Sequence, residues 1–174
     1  MNSLLSSLLP GLALAPDIHP IFVHFPIALW LTAAALVTLG AARSNLRVQD
    51  AGRICLWIGT AAALVTIATG YLAAGRMGHG AAGHDLVHVH RNFMLASTGI
   101  AALASLLAWR ADSSTRAGSL GLAALLLVLA TVSGLGADRG ARLVFGYGMG
   151  VLETPPETDG GHHDGGHHDG GHHE

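Results

Sequence analysis

Residues 17–30 read DIHPIFVHFPIALW. Two histidines, His19 and His24, and two prolines, Pro20 and Pro26, stand at the head of a long apolar run. Hydrocarbon penalises both residue types, so their position needs a reason. Pro20 suits a helix start, where its missing N–H leaves nothing unpaired. Pro26 lies deeper. It frees the carbonyl near Phe22, and in lipid that carbonyl needs a donor. The histidines and arginines at the same depth are the expected donors.

The rest of the chain supports a membrane setting. Of 174 residues, 51% are hydrophobic and 11% charged; a soluble domain carries about 25% charged residues. A bilayer core about 30 Å thick is crossed by roughly 20 apolar helical residues. Four segments meet that requirement, at about 21–42, 54–74, 87–109 and 117–137. None carries the charged stripe of a water-facing helix. The expected fold is therefore all-α: an integral membrane, up-and-down four-helix bundle over residues 17–152. Glycine is abundant, with 24 residues. Small-xxx-small steps at Gly59–Ala63 and Thr66–Gly70, and a weaker one at Gly118–Leu122, allow helices to approach closely. The neighbour in such contacts is the same chain, a second copy or a larger membrane complex.

Orientation follows from the loops. Arg43, Arg47 and Arg53 outnumber Asp50 between spans one and two, and Arg110 and Arg116 outnumber Asp112 between spans three and four. Nothing basic precedes span one. Positive residues favour the cytoplasm, so both termini are expected outside, in a multi-pass protein of a bacterial inner membrane. Arg76, Arg91, Arg139 and Arg142 fall on the outer side and make the bias modest. Residues 1–16 read as an outer interfacial segment. The alternative is a signal peptide, but no basic residue precedes the apolar part and Pro10 interrupts it. Trp57 and Trp109 near inner span ends, and Tyr71 near an outer one, fit interfacial aromatic belts.

Threading the spans alternately gathers the polar residues at one end. His19, His24, His79, His84, His88 and His90 all reach it, with Arg76, Arg91, Asn92, Asp138, Arg139 and Arg142. His84 and His88, four apart, share a helix face. One reading is a b-type haem held by axial imidazoles between helices. His24 with His88 is the leading pair, and His19 with His84 or His90 a shallower second. Arg76, Arg91 or Arg142 would pair with the propionates, and Met94 is a reserve ligand. The partner would be a membrane quinol or an outer redox protein. Electron transfer or binding is expected rather than enzymatic turnover.

A second reading rests on the end of the chain, DGGHHDGGHHDGGHHE. Residues 153–174 have nothing to bury and are expected to be disordered. His162, His163, His167, His168, His172 and His173, interleaved with Asp164 and Asp169, suit a divalent transition metal such as zinc, copper or nickel. A third reading is a structural accessory subunit. The net charge of −2 points to no nucleic-acid partner. A lone Cys55 excludes an internal disulfide and any multi-cysteine centre. Its place near the inner end of span two suits packing rather than nucleophilic chemistry.

Three motifs carry a resemblance. HPIFVHFPIAL resembles the opening of the bacterial membrane family called domain of unknown function 2231. VHVHRN, with His88 and Asn92, and GARLVFGYGMGV, at 140–151, resemble its later segments. The resemblance covers roughly residues 17–152 and implies four spans. Relatives with an appended Rieske-type iron–sulfur domain imply redox work. Tyr147 stands where the family often has a histidine.

Overall fold

A computed structural model describes residues 7–9, 17–75, 82–110 and 115–151. Four helices fill most of them: α1 His19–Ala42, α2 Leu46–Ala74, α3 His84–Arg110 and α4 Arg116–Tyr147. Each is long and apolar enough to cross a membrane. There is no strand among the described residues, and the chain is a four-helix membrane bundle. The helices alternate in direction and pack in a ring, each against its two neighbours, with the α1–α2 contact the most extensive and the α2–α3 contact the thinnest. One end carries the starts of α1 and α3, the histidine end. The other carries the α1–α2 turn and the start of α4, the arginine end.

The interior is built from small residues. Ala33, Ala34, Ala63, Ala101, Ala104, Ala108 and Ala123 are buried with Trp30, Val37, Leu56, Leu122, Leu126 and Leu129. Larger apolar side chains such as Phe25, Leu64, Leu127 and Phe145 point outward. That arrangement suits lipid, where apolar tails solvate leucine and tight backbone approach holds helices together. Gly59 meets Leu29 and Trp30 of α1, and Gly52 meets Val37 and Ala33. The small-residue stripe of α2 is therefore used within the chain.

The helices run beyond the apolar segments read from the sequence. α2 begins at Leu46 rather than near Ile54 because Asn45 caps it, its side chain accepting from the Val48 N–H at 3.3 Å. α4 continues ten residues past Ala137, to Tyr147. It stops at Gly148, whose φ of 67° sends the Gly148 and Met149 N–H groups back to Val144 and Leu143. Arg139, expected in a loop, lies inside α4 and donates to the Leu135 carbonyl at 2.8 Å. Hydropathy marks where lipid begins, whereas caps mark where helices end.

Pro26 is buried inside α1, and the Thr66 hydroxyl of α2 lies 3.2 Å from the Phe22 carbonyl and 3.1 Å from the Ala62 carbonyl of its own helix, its one proton shared between the two. The donor is thus a threonine and not the expected histidine or arginine. Nearer mid-bundle, Trp30 Nε1 reaches Thr60 Oγ1 at 3.4 Å, and Thr60 Oγ1 lies 3.2 Å from Ser105 Oγ, which ties α1, α2 and α3 together.

Replacing Thr66 by Val leaves the Phe22 carbonyl without its donor. The expected loss is about 1 kcal/mol, read by denaturation in mixed micelles, with Thr66→Ser close to wild type. Equal stability of the Val and Ser variants would show that the hydroxyl does not serve the carbonyl.

Candidate functional site at the histidine end

The described histidines divide into three groups. His19 and His90 are partly buried. His19 Nδ1 lies 3.2 Å from Thr69 Oγ1, and that hydroxyl donates to the Thr66 carbonyl at 3.0 Å. In the tautomer that keeps this hydroxyl on the Thr66 carbonyl, the hydroxyl oxygen accepts and His19 Nδ1 carries the hydrogen. His90 Nδ1 lies 2.8 Å from the Gly136 carbonyl. A carbonyl only accepts, so His90 Nδ1 is protonated as well. In the neutral rings each Nε2 is therefore left with its lone pair. This is the tautomer of an imidazole that binds a metal through Nε2 while a helix neighbour fixes its other nitrogen.

Each ring also lies against a glycine of the helix it bonds. A Cβ on Gly70 would stand 2.9 Å from His19 Cε1, and one on Gly140 would stand 3.0 Å from His90 Cε1. The parallel is systematic. Adding 71 to buried α1 positions gives buried α3 positions: Pro26 and Ser97, Trp30 and Ala101, Ala33 and Ala104, Val37 and Ala108. Adding 70 to α2 positions does the same in α4: Gln49 and Ser119, Gly52 and Leu122, Arg53 and Ala123, Leu56 and Leu126, Gly59 and Leu129, Ala63 and Ser133. The caps Asn45 and Thr115, and the pairs His19 and His90, Phe22 and Phe93, and Gly70 and Gly140, obey the same offsets. The molecule is two helical hairpins of one design, related by an approximate two-fold axis along the bundle. His19 and His90 are equivalent positions on diagonally opposed helices.

His84 and His88 form the second group. Their Nε2 atoms lie 3.1 Å apart, with the rings edge-on at 4.8 Å between centroids. His88 is exposed and His84 partly buried. His24 stands by itself on an exposed face of α1, and no hydrogen bond or ring contact joins it to His88. Helix phase separates that leading pair: His24 is five residues beyond His19, so the two rings point well apart around α1. His79, Arg76 and the tail histidines His162, His163, His167, His168, His172 and His173 lie outside the described residues, as do Asp164 and Asp169.

The arginines differ in use. Arg91, beside His90, sits over the Tyr71 ring at 5.9 Å, and its Nε is buried without an acceptor. Arg139 lies 4.9 Å over Phe93 and 3.4 Å from Asp138. Arg142 is exposed. Met94 packs its Cε on Gly136. Tyr147 and Met149 fold back on Gly83, just before His84. Among the described residues no group of three or more His, Cys, Asp or Glu converges on one metal position.

The repeat predicts a matched pair of effects. Gly70→Val and Gly140→Val should each displace a histidine ring and lower the thermal midpoint by several degrees. Gly134 has open space where a Cβ would go, so Gly134→Ala should be neutral or gain about 0.5–1 kcal/mol from helix propensity. A harmless Gly140→Val beside a damaging Gly70→Val would end the equivalence of the two hairpins.

No curated protein and no solved structure was found to match the chain. The family model described as "Predicted membrane protein (DUF2231)" matches residues 15–153, and the chain belongs to that family.

Proposed function

We propose that the histidine end holds a b-type haem between His19 and His90, and that the protein carries electrons at the outer face of a bacterial inner membrane. The observation that carries this reading is the shared geometry: two equivalent imidazoles, each with Nδ1 within hydrogen-bond distance of the adjacent helix, an arrangement that suits the tautomer with Nε2 as a lone pair. Direct helix contacts run at about 8–10 Å between axes, and the diagonal of a square ring is about 1.4 times longer. Two imidazoles sharing one iron need that longer separation, and α1 and α3 stand on the diagonal. Arg91, with a buried Nε lacking an acceptor, suits a carboxylate such as a propionate. Arg142 is placed for the rim. Haem would supply one-electron chemistry, and a membrane quinol or an outer redox protein would be the partner. The protein's share is to fix both rings, set their basicity through Nδ1 and limit water.

The test is a reduced-minus-oxidised visible spectrum of protein made with haem supplied and purified in mild detergent. Soret and alpha bands are expected. His19→Ala and His90→Ala should each abolish them, while His24→Ala keeps them. An absence of bands in the wild-type protein refutes the reading.

A second reading has its own observation. Zinc bonds of about 2.0–2.1 Å in a tetrahedral site put two imidazole nitrogens about 3.3 Å apart. The 3.1 Å between His84 and His88 Nε2 is close to that bite. In this reading the six tail histidines gather zinc, copper or nickel and share it with His84 and His88. Zinc titration should find binding that survives in a version ending at Thr158 and is lost when His84→Ala and His88→Ala are added. If the shortened protein binds no zinc, the helix pair is not a metal site.

A further inference from the structure

At the arginine end α2 buries two polar side chains in the face that packs inward. Gln49 is 2% exposed and Arg53 is 7% exposed. They are one turn apart and continue into Leu56, Gly59 and Ala63, the buried stripe of the helix. Neither finds a full set of partners. Arg53 Nε and Nη2 and Gln49 Oε1 are buried without a hydrogen bond, as is Thr38 Oγ1 of α1. A guanidinium does not lose its proton in a protein, so Arg53 stays charged. A charge placed among helices is found paired or lining a polar path, because the bare state is costly.

No side chain among the described residues supplies the missing anion. The ion pair there is Arg139 with Asp138, at the far end of the bundle. Asp50, next to Gln49, is exposed and makes no bond to Arg53. Asp112, in the α3–α4 connection at this end, and the acidic residues of the tail lie outside the described residues. The two-fold relation sharpens the anomaly. The counterpart of Arg53 is Ala123 and that of Gln49 is Ser119, both buried. The inward stripe of α3 at this end is Ala104 and Ala108. One hairpin thus carries a long cation where the other carries only small side chains.

We infer that Arg53 and Gln49 form a binding site for a phosphate group, the headgroup phosphate of an acidic phospholipid. Several observations converge on an anion of that kind. Two adjacent guanidinium N–H directions match the paired oxygens of a phosphate. The Gln49 amide is a donor there once its oxygen and nitrogen exchange places, which removes the orphaned acceptor. Arg43, Arg47, Arg110 and Arg116 are exposed around that end and raise the local concentration of anions. The α2–α3 seam is the thinnest in the ring, and Trp57 stands half-exposed on α2, one turn beyond Arg53, with its Nε1 3.3 Å from the Ser105 carbonyl of α3. An indole at a seam near the interface is a natural neighbour for a lipid glycerol.

The experiment uses the full chain in detergent, exchanged against phosphatidylcholine, phosphatidylglycerol or inorganic phosphate. Native mass spectrometry and thermal unfolding are the readouts. Wild type should retain one phosphatidylglycerol per chain and gain several degrees in midpoint over phosphatidylcholine. Arg53→Gln should lose both effects, whereas Arg47→Ala, on the exposed rim, should keep them. Arg53→Lys, which keeps the charge but not the fork, should retain at most a third as much lipid, and it serves if Arg53→Gln does not fold. Matching protection by millimolar inorganic phosphate supports the phosphate site and assigns it to a free anion. Equal lipid retention by wild type and both Arg53 variants, or no protection by either phosphate source, overturns it.

Discussion

Lipid offers no hydrogen bonds, and every polar group carried into this bundle must find its partner on a neighbouring helix. At the histidine end that requirement is met in an exact register: an imidazole from one helix lies on a glycine of the next and gives its Nδ1 proton to it, through Thr69 in one hairpin and directly to Gly136 in the other. The contact does two jobs at once. It fixes the rotation of α1 on α2 and of α3 on α4, because the ring fits only where the glycine leaves room. It also fixes the proton, and so leaves the Nε2 lone pair free for chemistry. Structural clip and ligand are therefore not competing descriptions of His19 and His90: a metal-binding imidazole is ordinarily held by its second nitrogen in the same way.

Much of this was legible in the sequence. Length and hydropathy gave four spans, alternation placed the histidines at one end, and Pro20 marked a helix start. Helix phase was not legible. Ranking His24 with His88 rested on depth along the spans, yet rotation about α1 turns His24 outward while His19, nearer the end, turns in. A sequence read without its packing partners supplies depth far better than rotation. The one available signal was HPIF at 19–22 against HRNF at 90–93. It passes unnoticed because the repeat is kept in burial and not in residue type. Gln49 answers to Ser119, Gly52 to Leu122 and Trp30 to Ala101. In these pairs volume is traded between hairpins, a large side chain in one answering to a small one in the other, while Leu56 and Leu126 or Ala33 and Ala104 keep the same residue.

The helices extend beyond the apolar spans for a physical reason. Hydropathy averages over both faces, and the first turns of α2 mix exposed Arg47 and Asp50 with buried Gln49 and Arg53. That mixture lowers the apolar mean without lowering helix stability, which Asn45 secures from outside the run. At the other terminus, Arg139 satisfies the helix surface it grows from by reaching back to Leu135, so α4 continues where composition suggests a loop.

A two-fold design is informative mainly where it fails. Equal positions in the two hairpins experience similar surroundings, so packing alone gives no reason for them to differ sharply in charge. The histidine end keeps the symmetry in His19 and His90 and breaks it with Arg91, whose counterpart is Pro20. The arginine end breaks it with Arg53 against Ala123. Pro20 serves the start of α1, which explains one side of the first pair. Nothing in helix formation requires Arg91 or Arg53, and each holds a buried guanidinium nitrogen without an acceptor. Both are cations about two turns from a bundle end. The symmetric part of the molecule thus builds a frame around two imidazoles, and the asymmetric part includes, at each end, a buried guanidinium nitrogen with no acceptor among the described residues.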